Sequence, residues 1–143
     1  MPYRHTQPGI VIMAVCLACG LPAAAIGWRT GQISMIAMLI ILVAVAVVFC
    51  SLTVEVGDNE LLWYFGPGFW THRLALDEIR SVAVVRNHWW NGFGIRMRPG
   101  FRLYNVSGLD AVECQLKSGE IRRIGTDDPK GLAAALNSAA RGG

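Results

Sequence analysis

The first part of the chain consists of two long apolar stretches that a single charged residue separates. Between Arg4 and Glu55 the only charge is Arg29, and the stretches on either side of it cover residues 10–28 and 33–52. An α-helix rises about 1.5 Å per residue, so each stretch is long enough to cross the roughly 30 Å hydrocarbon core of a bilayer. A soluble domain of this size could not bury two such helices, because its core helices keep a polar face. The sequence therefore predicts two transmembrane helices.

The connection between the helices and the distribution of charge predict their orientation. Residues 29–32 leave room only for a tight turn, so the helices form a hairpin over residues 10–53 and both chain ends lie on one side of the membrane. Cytoplasmic segments of membrane proteins carry an excess of Lys and Arg. The tail of residues 1–9 offers Arg4 and the terminal amine, whereas the turn offers Arg29 alone. We therefore expect a multi-pass protein of the bacterial cytoplasmic (inner) membrane with both termini in the cytoplasm.

A cleaved signal peptide is the alternative interpretation of the first stretch, with the three alanines at 23–25 as the cleavage site. A signal peptide begins with a positively charged region, whereas here the apolar run follows a singly charged amino end. Cleavage would leave the second helix as the anchor and the rest of the chain still cytoplasmic. Both interpretations give the same location.

The composition excludes several classes of protein. Charged residues make up 16% of the 143 residues and the net charge is +3, against about 25% charged residues in an average soluble domain. A nucleic-acid-binding module needs a dense cationic surface, so we expect no nucleic-acid partner. Three of the four cysteines lie inside apolar runs, which argues against a disulfide framework.

The segment 54–143 has the pattern of a small β-domain that ends in a helix. Runs of β-forming residues alternate with turn residues at close spacing, as in an antiparallel sandwich or barrel. Asp128 is a good N-cap and Pro129 fits the first position of a helix over residues 129–141. The predicted fold is a membrane α-hairpin plus an all-β barrel of about seven antiparallel strands, capped by the C-terminal helix. The expected strand runs are 52–56, 61–65, 70–76, 79–86, 94–97, 101–105, 111–116 and 121–124.

Four strings of residues carry a resemblance to a known family. They are WYFGPG at 63–68, GFGIR at 92–96, YNVSG at 104–108 and RIGTDDP at 123–129. With this order of elements, the chain resembles a group of bacterial membrane-anchored pleckstrin-homology-like (PH-like) proteins, in which two helices precede one PH-like domain. The resemblance covers nearly the whole chain. It implies a PH-like barrel that serves as a binding or assembly module, and it implies no reaction.

One loop departs from the better-known PH domains. Members that bind phosphoinositides hold the headgroup with basic residues flanking the loop after the first strand. Here that loop, residues 57–60, reads Gly-Asp-Asn-Glu and would repel a polyphosphate. We therefore expect no specific recognition of inositides, whereas diffuse attraction to anionic lipid is still allowed.

No combination of residues indicates catalysis or metal binding. His5, His72 and His88 have no carboxylate or thiol at a spacing that suggests a shared site, and His72 is expected to face solvent. Cys16 and Cys19 form a C-x-x-C inside the first apolar stretch, where thiolates would carry a heavy charge cost. We therefore predict no enzymatic activity, no catalytic residue, no metal and no cofactor.

Basic residues form one candidate contact surface. Arg96, Arg98 and Arg102 cluster around the turn at Pro99 and Gly100, and Arg86 is close enough in sequence to join them. If the loop has an odd number of residues, alternation puts Arg96 and Arg102 on the same outer face of the sheet. Such a surface near a bilayer would attract anionic headgroups, while an ordinary charged sheet face is the alternative.

Trp89 and Trp90 form the second candidate surface. In a strand, neighbouring side chains point to opposite faces, so one indole would be in the core and the other outside. In a loop both could be exposed to a membrane interface or to a partner.

These features lead to three hypotheses. The leading one is a non-enzymatic integral membrane protein that displays a PH-like binding or assembly module at the cytoplasmic membrane face. Its ligand is a protein partner or a second copy, which binds an exposed strand edge or the Trp89 and Trp90 region. The first alternative is peripheral recognition of anionic lipid headgroups through the arginine-rich hairpin. The second is an accessory subunit of a membrane transport or export system, in which the helices are the active part.

Overall fold

A computed structural model of the chain describes residues 3–91 and 94–142. Outside this range lie residues 1–2 of the expected tail, Gly92 and Phe93 of the GFGIR string, and Gly143 at the end of the predicted domain. The described residues form nine strands and three α-helices. In chain order these are β1 (Tyr3–Pro8), α1 (Ile10–Thr30), α2 (Ile33–Val48), β2 (Ser51–Val56), β3 (Glu60–Phe65), β4 (Phe69–Ala75), β5 (Ile79–Arg86), β6 (Gly94–Arg98), β7 (Phe101–Asn105), β8 (Asp110–Leu116), β9 (Ile121–Gly125) and α3 (Pro129–Gly142).

The two apolar stretches form two antiparallel helices of unequal length. Among the described helices, α1 alone is both long and apolar enough to cross a membrane by length and composition. The second stretch was expected to be helical over 33–52, but α2 ends at Val48 after 16 residues and β2 begins at Ser51. The expected boundary fails because apolar residues continue past the helix end: Leu52 and Val54 belong to the β-domain core.

Small side chains let the two helices approach closely. The buried residues of α1 are Cys16, Gly20, Ala23 and Gly27, which recur on one face of the helix. A Cβ atom added at Gly27 would lie 2.9 Å from the Cβ of Met35 on α2. Helix pairs in membranes use such small residues at their interfaces, because close approach maximises van der Waals contact.

The helical hairpin is inserted between two paired strands. β1 and β2 are antiparallel, in register from Tyr3 opposite Val56 to Pro8 opposite Ser51. The backbone N–H of Gly9 donates to the carbonyl of Cys50 at 2.7 Å, directly below the helices. Residues 3–8 of the expected tail are therefore an edge strand of the β-domain, and the helices occupy the place of a β-hairpin turn.

The β-domain consists of two sheets that do not close into a barrel. The first has the order β1-β2-β3-β4 and the second the order β5-β8-β9-β7-β6. The prediction of a closed, wholly antiparallel barrel is wrong in two respects. A 3₁₀ turn at Leu76–Glu78 separates β4 from β5, which pairs with β8 instead, and β7 and β9 are parallel. The coarser prediction of helices followed by a β-rich segment and a C-terminal helix is confirmed.

The core fills the space between the inner faces of the sheets. Alternation along β8 buries Val112, Cys114 and Leu116, as the sequence pattern predicts. α3 packs on β5, β8 and β2 and contributes Leu132 and Leu136 to the same core. This helix begins where predicted, because the Asp128 carboxylate accepts a hydrogen bond from the N–H of Gly131 at 3.1 Å and so acts as an N-cap.

Candidate functional site

The β6–β7 hairpin distributes its three arginines over both faces of the sheet. The turn consists of two residues, so Arg98 pairs with Phe101, Met97 with Arg102, and Arg96 with Leu103. Directly paired residues lie on the same face. An even-numbered turn therefore puts Arg96 and Arg98 on the outer face, and Arg102 on the inner face, the one that packs toward the first sheet. The single three-arginine surface considered from the sequence is not formed.

Arg96 and Arg98 are exposed, and neither forms an ion pair with any residue that the structure describes. Arg123 shares the outer face but is held by its neighbours: its side chain donates to Glu113 and Asn87 and covers the ring of Phe101 at 5.1 Å. The free positive charge of this face therefore comes from Arg96 and Arg98.

Arg86 does not join these residues. It ends β5, and the strand order β5-β8-β9-β7-β6 puts β5 and β6 at opposite edges of the sheet. Four strand spacings correspond to about 19 Å. The proximity in sequence of Arg86 to Arg96 is therefore not proximity in space.

Contacts along β1 show which edge of the second sheet is closest to the helices. Gln7, next to the start of α1, donates to the carbonyl of Ser107 just after β7 at 2.7 Å. His5, further from the helices, contacts Asp127 just after β9 at 2.5 Å. The end of β7 therefore contacts β1 at a point nearer the helices than the end of β9 does. In the sheet order, β6 lies on the other side of β7 from β9. The order β9-β7-β6 therefore runs toward the helices, and β6, which carries Arg96 and Arg98, follows β7 on that side.

Aromatic side chains surround the same base. Phe49, which directly follows α2, packs against Phe65 at 5.2 Å and against Trp70 at 5.7 Å between ring centroids. Trp70 is 56% exposed, its neighbour Phe69 is also exposed, and Trp70 has a φ of +46°. A positive φ is an outlier for so bulky a residue and marks a position that the surrounding structure enforces. We call Phe49, Phe69 and Trp70 the aromatic base.

Trp89 and Trp90 form a separate exposed pair. They lie in a 3₁₀ turn at Trp89–Asn91, between β5 and β6, with exposed fractions of 75% and 60%. The ring of His88 stacks on Trp90 at 4.2 Å with an interplanar angle of 4°. Of the two arrangements weighed from the sequence, the one with both indoles exposed is the one observed.

His72 occupies a position that sequence reasoning missed. It pairs with Trp63 on the inner face of β4, and its ring packs against those of Trp63 and Tyr104, at 5.4 Å and 4.7 Å. Burial lowers the pKa of His72, and the positive charges of Arg102 and Arg122 lower it further. The expectation that His72 faces solvent is therefore wrong. The available signal in the sequence was alternation, since His72 lies two residues before the apolar Leu74 and such positions in a strand share a face.

Among the residues the structure describes, no group of three or more His, Cys, Asp or Glu side chains could hold a metal ion. What the arrangement offers is contact: a basic edge strand, an aromatic base and an exposed indole pair. No protein-family model matches this chain, and no curated protein matches it. The resemblance to PH-like proteins stays a prediction.

Proposed function

We propose that the chain is a non-enzymatic, membrane-anchored binding module whose β-domain rests on the bilayer surface and recognises anionic lipid headgroups there. One observation carries the proposal: the helical hairpin is inserted between β1 and β2, so no linker separates the helices from the sheet. Because both ends of the helical hairpin continue directly into strands of the β-domain, the domain has little freedom to move away from the membrane surface. The part of it nearest the helix base is then held against the headgroups.

The dimensions of the hairpin support a membrane-spanning role. Trp28, 92% exposed, lies near the far end of α1, and the aromatic base lies at the other end. The residues of α1 up to Trp28 cover about 27 Å, close to the thickness of the hydrocarbon core. Aromatic side chains concentrate at both membrane interfaces. The shorter α2 would complete a two-pass hairpin if the bilayer thins locally or if Phe49 and Cys50 extend the apolar span.

The pairing of β1 also argues against a cleaved signal peptide. Cleavage after residues 23–25 would remove β1, which supplies half of the β1–β2 pairing and the Gln7 bond to Ser107. A retained amino end, with the orientation that the charge distribution favours, gives a protein of the bacterial cytoplasmic membrane with the β-domain in the cytoplasm.

The headgroup-facing element is the β6 edge. Arg96 and Arg98 project from it without ion-pair partners among the described residues, and each arginine near an anionic surface contributes about 1 kcal/mol. Together they correspond to about 2 kcal/mol, or roughly thirtyfold in the population of the membrane-contacting state. This magnitude is modest and depends on salt, because the charges are exposed.

Hydrogen exchange on the full chain in lipid nanodiscs tests this proposal. Amides of β6 should exchange more slowly in nanodiscs with anionic lipid than in wholly zwitterionic ones, and the difference should shrink at high salt. The double variant Arg96→Gln/Arg98→Gln should lose the difference. Arg86→Gln, which removes an exposed charge at the opposite sheet edge, should retain it. Equal exchange of β6 in both lipids would contradict the proposal.

The Trp89 and Trp90 pair favours a second candidate function, the binding of a protein partner or a second copy. Exposed indoles are common binding anchors, because they bury a large apolar area on contact. Quenching by brominated lipid separates the two uses in variants that keep one tryptophan each. Trp63, 2% exposed, serves as the unquenched reference. Quenching of Trp89 or Trp90 would assign the pair to the membrane, and its absence would favour a protein partner.

A third role, as a subunit in which the helices themselves transport or export a substrate, has less support. The buried face of α1 consists of Cys16, Gly20, Ala23 and Gly27, which supply no charged or amide group to line a path. Replacement of the hairpin by an unrelated one with the same β1 and β2 should preserve the function of an anchor. Loss of function with the β-domain intact would instead favour the transport role.

A further inference from the structure

Two arginines lie side by side on the inner face of the second sheet. In the parallel pair of β7 and β9, Arg102 is the register partner of Arg122. Arg122 in turn pairs with Cys114, which is fully buried. Register partners share a face, so both guanidinium groups project into the layer between the sheets. From the opposite sheet, His72 on β4 projects into the same layer, where its ring stacks on Trp63 and packs against Tyr104.

The described residues do not balance the charge of this cluster. Arg122, with 15% of its side chain exposed, forms an ion pair with Glu120 at 2.9 Å. Arg102 is half-buried and forms no ion pair within the described part of the chain. Only one of the two guanidinium groups is therefore paired with a carboxylate, and the cluster keeps a net positive charge.

Three nitrogen atoms of the cluster also lack hydrogen-bond partners. Arg122 Nη1, His72 Nε2 and Trp63 Nε1 are buried, and no described group bonds to them. A buried polar atom without a partner costs free energy, and in native proteins such atoms are few and commonly bond to an ion or a water. Three of them in the same layer between the sheets as an unpaired arginine indicate a site for an acceptor with several oxygen atoms.

The cluster lies close to an opening between the sheets. β4 and β6 are the free edges of their sheets on this side, and no strand pairing joins them in the described residues. Met97, the partner of Arg102 on the inner face of β6, is 63% exposed. The inner face at this edge is thus uncovered, and an anion could reach Arg102 from solvent or from the adjacent bilayer surface.

We propose that Arg102, Arg122, His72 and the indole N–H of Trp63 bind a phosphate-bearing anion between β4 and β7. Guanidinium groups fit the oxygens of a phosphate with paired N–H donors, and the anion would supply the missing charge and the missing acceptors together. The phosphate can belong to a lipid headgroup or to a soluble molecule. The site is separate from Arg96 and Arg98, and it does not depend on whether these contact the membrane.

Phosphate binding by the full chain in a nonionic detergent tests the proposal. Inorganic phosphate is titrated at constant ionic strength, with chloride as the comparison anion, and the ring ¹⁵N resonances of His72 are followed by NMR. We expect saturable shifts with phosphate and none with chloride. Arg102→Gln should weaken binding at least tenfold, because hydrogen bonds to a charged group are lost. Arg86→Gln, the same change at an exposed arginine of the opposite sheet edge, should leave the affinity unchanged.

Two further arms identify the source of the phosphate and protect against misfolding. Short-chain phosphatidic acid and short-chain phosphatidylcholine are titrated in the same way, so that tighter binding of the former than of inorganic phosphate assigns the site to a headgroup. Arg102→Lys keeps the positive charge but not the paired donors, and we expect an affinity between those of wild type and Arg102→Gln. No His72 shift with any phosphate compound, or equal weakening by Arg86→Gln and Arg102→Gln, would overturn the proposal.

Discussion

Gly66 is the position at which a single added methyl group tests the fusion of the helices to the β-domain. It follows β3, has a φ of +53°, and donates its N–H to the carbonyl of Ser51 at 2.8 Å. A Cβ atom at this position would lie 2.8 Å from the carbonyl oxygen of Val47 and 2.9 Å from that of Val48, at the end of α2. Both distances are too short for a carbon beside backbone, so either the helix end or the turn must move.

The cost of Gly66→Ala has two parts. The left-handed backbone costs a residue with a side chain about 1–2 kcal/mol. Overpacking against fixed backbone typically adds about 1–3 kcal/mol. Gly100→Ala is the matched control, because Gly100 has a φ of +73° and an added Cβ would meet nothing within 4 Å. We therefore expect Gly66→Ala to destabilise the chain by about 1–3 kcal/mol more than Gly100→Ala.

Thermal unfolding in detergent, followed by near-ultraviolet circular dichroism, measures this difference. For a β-domain of about 100 residues, a loss of 1 kcal/mol lowers the unfolding midpoint by about 4–8 °C. The Gly66→Ala midpoint should therefore lie at least about 4 °C below that of Gly100→Ala. Equal midpoints would refute the close packing of the α2 end on the β3–β4 turn, and with it the rigid junction on which the membrane-surface proposal depends.

Other predictions concern the β-domain core and its amino-terminal strand. Asp128→Ala removes the N-cap bond to Gly131 and the acceptor of the Tyr3 hydroxyl, so urea unfolding should show a loss of about 1–2 kcal/mol. Burial and the hydrogen bond to Asp128 raise the pKa of Tyr3. The contribution of the neutral Tyr3 hydroxyl to the free energy of unfolding should therefore be present below about pH 10 and be lost above it. In Tyr3→Phe, the unfolding midpoint should fall less steeply as the pH rises above about 10 than it does in the wild type. The pKa of His72 is lowered in the folded protein, so its contribution to the free energy of unfolding should be full above about pH 6.5 and should fall at lower pH. His72→Gln should therefore make the unfolding midpoint less sensitive to acid. Burial raises the pKa of Cys114 to about 12, so iodoacetamide at pH 8 should modify this thiol only after unfolding, as peptide mass spectrometry would report.

Local signals in the sequence were sufficient for most of the individual elements. The eight expected strand runs correspond to β2 through β9, because alternation and turn residues are properties of a few neighbouring positions. The same holds for α3, whose N-cap at Asp128 forms the bond that the sequence predicts. Strand β1 was missed because its polar residues pair with β2, which becomes a neighbour only after the helices fold back on themselves.

The features that the sequence did not predict depend on contacts between residues that are far apart in the chain or on the length of a single turn. The two sheets would be continuous if β5 paired with β4, but β5 pairs with β8 at that edge, and no local sequence pattern predicts which of the two strands it pairs with. The faces of Arg96 and Arg102 depend on the parity of one turn, which changes with a single residue. His72 looked like a surface residue because its partners Trp63 and Tyr104 lie on two other strands.

Sidedness of labelling tests the central claim most directly, namely that the hairpin crosses the membrane and leaves the β-domain on one face. In a variant without the native cysteines, Gln32→Cys marks the exposed inter-helix turn and Ser118→Cys marks the exposed β8–β9 turn. A membrane-impermeant maleimide is applied to spheroplasts and to inverted vesicles. We predict that Gln32→Cys reacts only in spheroplasts and Ser118→Cys only in inverted vesicles. Labelling of both positions from the same side would contradict a membrane-spanning hairpin.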